Sequence, residues 1–222
     1  MGLYAKYVIP RIVNFTCRAK PITRQRAKVV PLANGRVLEL GIGSGLNLPF
    51  YDPAKVNHVW GLDPSAETWR IGQRQRSTLG FDVEFIEGSA EKIPLDSGSA
   101  DTVVVTYTLC TIPDVARCLA DIRRVLRPEG ELIFCEHGAA PDESVRRWQN
   151  RLNPLWGRIG GGCNLNREIP LLLEQAGFTI RTLETMYIPG WRPACFNYWG
   201  TAVAGPVLHR DPFRSGVGSG SG

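Results

Sequence analysis

The chain has 222 residues and a net charge of +5, from 26 basic and 21 acidic side chains. That length suits one domain with a substantial hydrophobic core, and no apolar run approaches the roughly 20 residues that span a bilayer. The charge is uneven, because the first 38 residues carry eight basic side chains and no acidic one. A domain that binds nucleic acid spreads its basic residues over the binding face, so this distribution argues against that class.

Six cysteines are scattered along the chain, with no Cys-x-x-Cys pair and no Cys/His cluster of zinc spacing. Those in predicted strands and helices suit buried apolar positions. The first residues also lack the apolar region and cleavage site of a secretory signal. We therefore expect a cytoplasmic protein in a reducing environment, with no disulfide and no metal ion.

Residues 1–35 are predicted to form a basic helical arm, which Pro10 and Pro21 interrupt. Three interpretations of the arm are open: a lid over the active site, a segment on an anionic membrane surface, or a helix packed on the domain. Residues 36–208 are predicted to form the main domain. The tail over 209–222 is rich in glycine and serine and is expected to be disordered.

A short apolar strand near 36–40 is followed by three glycines at alternate positions: Gly41, Gly43 and Gly45. Glycine lets the backbone turn tightly and approach a ligand, and a helix predicted from about residue 45 would point its free N–H groups into the turn. The dinucleotide fingerprint requires its third glycine where this chain has Leu46. Glu39, just before the turn, would repel a pyrophosphate but suits a cationic ligand.

Strands and helices alternate after the turn, which predicts a doubly wound, mostly parallel α/β sheet. The other predicted strands lie near 58–63, 83–87, 101–106, 131–136, 178–187 and 196–203. The predicted helices lie near 65–79, 114–126, 142–151 and 167–176, with a loop over 153–166. Ligands of such sheets bind beyond the carboxyl ends of the strands, which places Thr106 and the following residues 107–111 near the ligand.

Asp63 lies at the end of the second predicted strand, 24 residues after Glu39, and is followed by Pro64. An acidic residue at about this distance from a glycine turn accepts hydrogen bonds from ribose hydroxyls in nucleotide-binding folds. The alternative is that Asp63 caps the next helix. The spacing favours the ribose role.

The pattern Glu39-x-Gly41-x-Gly43-x-Gly45 after a strand resembles motif I of the class I S-adenosylmethionine-dependent methyltransferases. This resemblance implies a Rossmann-like sheet of seven strands that ends in an antiparallel hairpin. It also implies S-adenosyl-L-methionine as cofactor, whose sulfonium and ammonium groups suit Glu39. Members often have Asp in the segment that here reads Gly88-Ser-Ala-Glu91, and that Asp binds the adenine. The resemblance therefore transfers the adenine contact to Ser89, Ala90 or Glu91.

A later block of motifs narrows the resemblance: Leu109-Cys-Thr-Ile112, Cys135-Glu-His137, Trp148-Gln149 and Gly162-Cys-Asn-Leu-Asn-Arg167. These motifs resemble the group of methyltransferases that includes the membrane-associated mammalian alkyl-thiol S-methyltransferases and their bacterial relatives. The resemblance implies methyl transfer to a small molecule, with a thiol as the preferred acceptor. The mammalian members begin with an apolar anchor, whereas this chain begins with a basic arm.

His137 is the candidate general base for a thiol acceptor, because it follows the fifth strand at the ligand end and titrates near neutral pH. Glu136 would orient it, and Tyr107 completes the catalytic candidates; a structural role for His137 is the alternative. The candidate cofactor residues are Glu39, Gly41, Gly43, Gly45, Asp63, Pro64, Ser89, Ala90, Glu91 and Thr106. The candidate substrate residues are Cys110, Trp148, Asn164 and Arg167.

Three other functions are weighed against thiol methylation. A phospholipid or amine N-methyltransferase would use the basic arm to dock on a membrane. A nicotinamide-dependent oxidoreductase is disfavoured by Leu46, and a cofactor-binding protein without catalysis would lack a pocket beside Tyr107 and His137. We expect a monomer that binds a small-molecule substrate and no nucleic acid, and peripheral membrane contact through the arm stays open.

Overall fold

The computed structural model describes residues 17–72 and 79–205. Its strands are β1 (Gly35–Leu40), β2 (Val56–Asp63), β3 (Asp82–Glu87), β4 (Ala100–Thr106), β5 (Leu126–His137), β6 (Phe178–Tyr187) and β7 (Phe196–Ala204). They form one sheet of order β3-β2-β1-β4-β5-β7-β6. Neighbouring strands are parallel from β3 to β5, and β7 runs antiparallel to both β5 and β6. The predicted doubly wound sheet with an antiparallel hairpin is confirmed.

The helices are α1 (Lys20–Val29), α2 (Ala66–Ile71), α3 (Val115–Val125), α4 (Glu143–Ile159), α5 (Ile169–Gln175) and α6 (Arg192–Cys195). Two short 3-10 turns lie at Val30–Leu32 and Leu48–Phe50. Within residues 17–72 and 79–205, no helix has the length and apolar character that crossing a membrane requires.

Both faces of the sheet are buried, which explains why its central strands are almost continuously apolar. Side chains alternate along β1, so that Val37 and Leu38 belong to two different cores. The core on the side of Val37 also contains Val29 and Val30, at the end of α1. The core on the side of Leu38 contains the apolar stripe of α3, including Leu119. The sheet is therefore packed on both faces, and this packing holds the strand ends in place.

Two helix ends lie where the sequence predicted them, one at a capping aspartate and one at a glycine. The Asp114 side chain accepts a hydrogen bond of 3.0 Å from the backbone N–H of Arg117 and so caps α3. After α5, Gly177 adopts a φ of 81°, which suits glycine and ends the helix.

Three predicted boundaries are wrong. The helix predicted near 65–79 ends at Ile71. No α-helix begins near residue 45, because Gly41, Gly43 and Gly45 all have positive φ, between 52° and 78°, and the chain turns tightly until the 3-10 turn at Leu48–Phe50. The loop predicted to begin at 153 is helical as far as Ile159, so that α4 runs through Pro154. Proline removes one backbone donor, and this helix tolerates that loss.

The arm predicted over 1–35 is described only from residue 17. Within that part, α1 buries Val29, Gln25 and Arg26 against the domain, which agrees with the packed-helix interpretation for this stretch. The part of the arm before residue 17 lies outside the described residues, and so does the tail predicted over 209–222. The lid and membrane interpretations stay predictions.

Candidate active site

A cleft of about 350 Å³ opens at the carboxyl ends of β1, β2 and β4. This volume is within the range of small-molecule sites. Five chain segments line it, together with two residues from the N-terminal part of the described chain. The lining residues are Cys17, Arg26, 41–44, Leu46, 62–64, Thr68, 88–91, 106–108, 111–113, Gly160 and Gly161.

The glycine turn forms one wall of the cleft through Gly41 and Gly43. A Cβ on Gly41 would clash with the Oγ1 atom of Thr108, so the turn and the loop after β4 approach each other only because this position is glycine. Gly45 was predicted to contact the cofactor, but it does not line the cleft. A Cβ there would lie 2.7 Å from Leu48, so Gly45 serves the folding of the turn itself.

Asp63 and Pro64 line the cleft beside the turn, as predicted. The Oδ2 atom of Asp63 accepts a hydrogen bond of 3.0 Å from the backbone N–H of Gly43, and Oδ1 accepts one of 2.8 Å from Ser65. Burial raises the pKa of Asp63. Each carboxylate oxygen keeps a second acceptor site for a ligand hydroxyl. The helix-cap alternative for Asp63 is wrong, because Ser65 is the N-cap of α2.

Ser89, Ala90 and Glu91 all line the cleft, in the region predicted to bind adenine. Two of them are already paired, since the Ser89 hydroxyl donates to Glu91 Oε2 at 3.1 Å. Glu91 Oε1 accepts a hydrogen bond of 2.8 Å from the backbone N–H of Asp114. The segment is therefore held against the start of α3, and its backbone edge at Ala90 remains beside the cleft.

Glu39 is not where the sequence predicted, because it lies beneath the turn with 2% of its surface exposed and does not line the cleft. Its carboxylate accepts hydrogen bonds from Asn47 Nδ2 at 3.1 Å and from the Tyr51 hydroxyl at 2.8 Å. Burial raises the pKa of Glu39 to about 7. The surface of the cleft therefore does not include Glu39, which supports the turn through Asn47 and Tyr51.

Arg26 is a cleft residue that the sequence analysis missed. Its Nη1 atom donates to Asn47 Oδ1 at 2.7 Å and to Thr106 Oγ1 at 2.6 Å, and its guanidinium lies 5.4 Å from the centre of the Tyr107 ring. Its Nε atom is buried without a hydrogen-bond partner among the described residues. A guanidinium held this way favours a carboxylate ligand. In the sequence, Arg26 is one of eight basic residues in the first 38, and no motif distinguishes it from the others.

Tyr107 and Thr106 reach the cleft as predicted. Tyr107 has a φ of 53°, and no other non-glycine residue in the described part of the chain has a positive φ. Such backbone strain is often found at functional sites. The Tyr107 hydroxyl donates to Asn197 Oδ1 at 2.6 Å, and burial raises its pKa well above the usual range. The phenol is therefore neutral and fixed, and does not suit the role of a base.

Glu136 and Arg167 hold the loop after β4 from behind and do not line the cleft. Glu136 Oε1 accepts hydrogen bonds from the backbone N–H groups of Thr108 at 2.7 Å and Leu109 at 3.1 Å, and burial raises its pKa to about 7. Arg167 donates to the carbonyl oxygens of Leu109 and Ile112. Glu136 was predicted to orient His137 in catalysis and Arg167 to bind the substrate, and the hydrogen bonds of both in this structure go to the backbone of the loop after β4.

The other predicted substrate residues also lie outside the cleft lining. Asn164 donates to the carbonyl oxygen of Cys110 through its backbone N–H at 2.9 Å and its Nδ2 at 3.0 Å. This pair joins the loop after β4 to the loop after α4. Trp148 lies on α4 with 57% of its surface exposed, so the structure does not bring it to the site.

His137 does not line the cleft either, but it lies in a cluster directly behind it. Its Nε2 atom is 3.3 Å from the sulfur of Cys163, and one ligand atom each of Cys110, His137 and Cys163 lie within 4.8 Å of one another. Hydrogen bonds from Cys110 and His137 lower the pKa of Cys163, although burial opposes this shift. His137 and Cys110 were predicted site residues, whereas Cys163 was not.

Comparisons with known proteins agree with this geometry. Residues 38–134 match the family described as "Methyltransferase domain". The chain is 36% identical over 178 residues to the human thiol S-methyltransferase TMT1B, covering 77% of this chain and 72% of that protein. It is 29% identical over 138 residues to a phosphatidylethanolamine N-methyltransferase of Cereibacter sphaeroides, covering 58% of this chain and 67% of that protein.

A solved structure shows the same fold at lower sequence identity. An S-adenosylmethionine-dependent methyltransferase from Mesorhizobium loti superposes with a TM-score of 0.61 and 19% identity, over 84% of this chain and 98% of that one. At this identity the likeness concerns the fold. The higher identity to TMT1B is what fixes the family.

Proposed function

Since this chain belongs to the class I S-adenosylmethionine-dependent methyltransferases, in the family of the thiol S-methyltransferases, we propose that its acceptor is a small thiol. The observation that carries the proposal is the 36% identity to human TMT1B over 77% of the chain. Its cofactor is S-adenosylmethionine, and the cleft offers a complementary group for each part of that molecule.

Three sides of the cleft suit the cofactor. The Asp63 carboxylate suits the ribose hydroxyls, and the backbone at Ala90 suits the adenine edge. The guanidinium of Arg26, with its unpaired Nε, suits the carboxylate of the methionine part. When bound, S-adenosylmethionine supplies an electrophilic methyl group that an acceptor takes by in-line displacement.

The remaining walls suit an apolar acceptor. Ile112 and Pro113 contribute apolar surface, and the backbone of Gly160 and Gly161 contributes space without side chains. Alignment of the acceptor and exclusion of water supply much of the rate in a displacement of this kind. Tyr107, fixed by its hydrogen bond to Asn197, provides a rigid boundary for that alignment.

A thiol must lose its proton, because the thiolate is the reactive nucleophile. Two features of the site favour the thiolate. The positive charge of Arg26 in the cleft lowers the free energy of a nearby anion. The cluster of Cys110, His137 and Cys163 lies directly behind the loop of Gly160 and Gly161 and offers groups that interact with a sulfur atom.

An amine or phospholipid acceptor is the second candidate. It is supported by the 29% identity to a phosphatidylethanolamine N-methyltransferase, which spans a smaller share of this chain than the match to TMT1B does. Docking on a membrane through the basic arm would accompany this function. The arm before residue 17 lies outside the described residues, and the higher identity to TMT1B favours the thiol acceptor.

Calorimetry with S-adenosylhomocysteine and with NAD tests the cofactor, and binding of the first alone is expected. A panel of thiols, amines, phenols and phosphatidylethanolamine with an isotopically labelled methyl donor then tests the acceptor. Transfer of label to thiols, with much less to the other classes, is the expected result. Preferential labelling of phosphatidylethanolamine would support the second candidate, and preferential labelling of phenols would reject both.

A further inference from the structure

Three soft or borderline metal ligands converge behind the cleft from separate parts of the chain. Cys110 lies in the loop after β4, His137 is the last residue of β5, and Cys163 lies in the loop after α4. One ligand atom from each lies within 4.8 Å of the other two. Two thiolates and one imidazole are a preferred ligand set of Zn²⁺ and exclude Mg²⁺ and Ca²⁺, which bind oxygen ligands.

A second observation shows an unsatisfied polar group next to this cluster. The Nδ1 atom of His137 is buried and has no hydrogen-bond partner among residues 17–72 and 79–205. An unpaired buried polar atom costs free energy, and a native protein keeps such an atom where it has a function. The other ring nitrogen, Nε2, lies 3.3 Å from the sulfur of Cys163. A metal ion among the three ligand atoms would be bound through Nε2 and would hold the ring in its present position.

The ligands are also held in place by their surroundings, as a metal site requires. The carbonyl oxygen of Cys110 accepts two hydrogen bonds from Asn164, the neighbour of Cys163, so the two cysteine-bearing loops are joined. His137 belongs to β5, which pairs with β7 up to this residue. Such support keeps the ligands close to binding geometry before the metal arrives.

The cluster borders the cleft, although none of its three residues lines it. Thr111, next to Cys110, is a lining residue. The loop residues Gly160 and Gly161, three and two positions before Cys163, are lining residues as well. A fourth ligand position on this side would therefore face the acceptor.

We propose that Cys110, His137 and Cys163 bind one Zn²⁺ and that the acceptor thiol occupies its fourth position. Three protein ligands with one open position are typical of catalytic zinc. On binding, the S–H bond of the acceptor breaks, a Zn–S bond forms, and the proton passes to solvent. The resulting thiolate is the nucleophile for methylation. This role of the metal rests on the thiol acceptor proposed above, whereas the metal binding itself does not.

Metal binding is tested on the full chain, purified without a chelating resin and stripped of metal by dialysis against a chelator. Titration with Zn²⁺ is expected to give one ion per chain, measured by mass spectrometry of the metal. Titration with Co²⁺ is expected to give the thiolate-to-cobalt charge-transfer band of a site with two cysteine ligands. Addition of a small thiol should change the visible spectrum of the cobalt protein.

Four variants separate the site from general effects of substitution. Cys110→Ser, Cys163→Ser and His137→Ala each remove one proposed ligand, and each should weaken Zn²⁺ binding at least tenfold. Cys195→Ser is the matched control, because Cys195 is the last residue of α6 and lies outside the cluster. This variant should bind Zn²⁺ as the unchanged protein does. Affinity for S-adenosylhomocysteine, expected to be equal in all four, shows that the variants are folded.

The outcomes separate this inference from the proposed function. Absence of the charge-transfer band, or equal Zn²⁺ affinity in Cys163→Ser and Cys195→Ser, overturns the metal site. If zinc binds but the metal-free protein methylates thiols at an unchanged rate, the activating role is overturned and the thiol function stands. If zinc binds and the panel shows no labelled thiol, the metal site stands and the proposed acceptor fails.

Discussion

The backbone N–H of Gly43 donates a hydrogen bond of 3.0 Å to the Oδ2 atom of Asp63. This bond joins the turn after β1 to the end of β2, two segments that lie 20 residues apart in the chain. Because Oδ1 is held in the same way by Ser65, the carboxylate has one fixed orientation at the wall of the cleft. A fixed acceptor binds ribose hydroxyls with less loss of entropy than a mobile side chain would.

We expect Asp63→Ala to weaken the binding of S-adenosylhomocysteine by about tenfold to a hundredfold, since loss of a charged hydrogen bond costs about 1.5–3 kcal/mol. Isothermal titration calorimetry measures the dissociation constant. Asp82→Ala, at the exposed start of β3, is the matched control and should leave it unchanged. An unchanged dissociation constant in Asp63→Ala would contradict the ribose role.

Arg26 should contact only the amino-acid part of the cofactor. Arg26→Ala is therefore expected to weaken the binding of S-adenosylhomocysteine at least tenfold, while binding of 5′-methylthioadenosine, which lacks the carboxylate, changes much less. Both dissociation constants are measured by calorimetry. The control is Arg24→Ala, which removes a basic residue of the same helix that does not line the cleft. Equal weakening for both ligands would show that Arg26 supports the fold of the cleft instead.

The fold was predictable because it depends on patterns that are local in sequence. Short apolar segments predicted the strands. Asp114 and Gly177 predicted helix ends that the structure confirms. The glycine turn was also correctly placed. Its conformation was not, since three positive-φ glycines at alternate positions exclude the helix that the spacing suggested.

The candidate site was less predictable because side-chain direction depends on packing between distant segments. Glu39 stands beside the turn in sequence, but the alternation of β1 directs it below the turn toward Asn47 and Tyr51. Arg26 enters the cleft from a helix that carries no motif. Cys110, His137 and Cys163 are separated by 26 residues or more, so no spacing rule could have grouped them.

Gly41→Ala should lower the free energy of unfolding more than Gly98→Ala does. Both glycines have a φ near 65°, and both substitutions carry the cost of a left-handed alanine, about 1–2 kcal/mol. A Cβ at position 41 would also clash with Thr108, whereas at position 98 no atom lies within 4 Å. Overpacking adds about 1–3 kcal/mol. Urea unfolding measures the difference, and equal losses would show that the turn relaxes around the new methyl group.

Stability should fall as the pH rises from about 4.5 to 7. Burial raises the pKa of Glu39 to about 7 from 4.5, so in this window the folded chain keeps a proton that the unfolded chain has released. The loss approaches roughly 3 kcal/mol and levels off above pH 7. Glu136 shifts in the same direction and adds to the slope.

Glu39→Gln tests this account, because glutamine has no proton to release. Urea unfolding at several pH values should show a shallower loss of stability in Glu39→Gln than in the unchanged protein. Glu131→Gln on β5 is the control, and its pH profile should match that of the unchanged protein. The same slope in Glu39→Gln and Glu131→Gln would mean that the Glu39 carboxylate titrates normally.

His137→Ala should slow methyl transfer by a factor on the order of one hundred while affinity for S-adenosylhomocysteine holds. The reason is geometric, because His137 contacts Cys163 behind the cleft and touches none of the surface that suits the cofactor. His58→Ala is the matched control: His58 lies on β2 beside Trp60 and Glu84, and its loss should leave turnover unchanged. Turnover is followed with labelled donor across a range of pH. If His137→Ala equals the unchanged protein at every pH, His137 has no part in the reaction; if it loses affinity for S-adenosylhomocysteine as well, its role is to support the cleft.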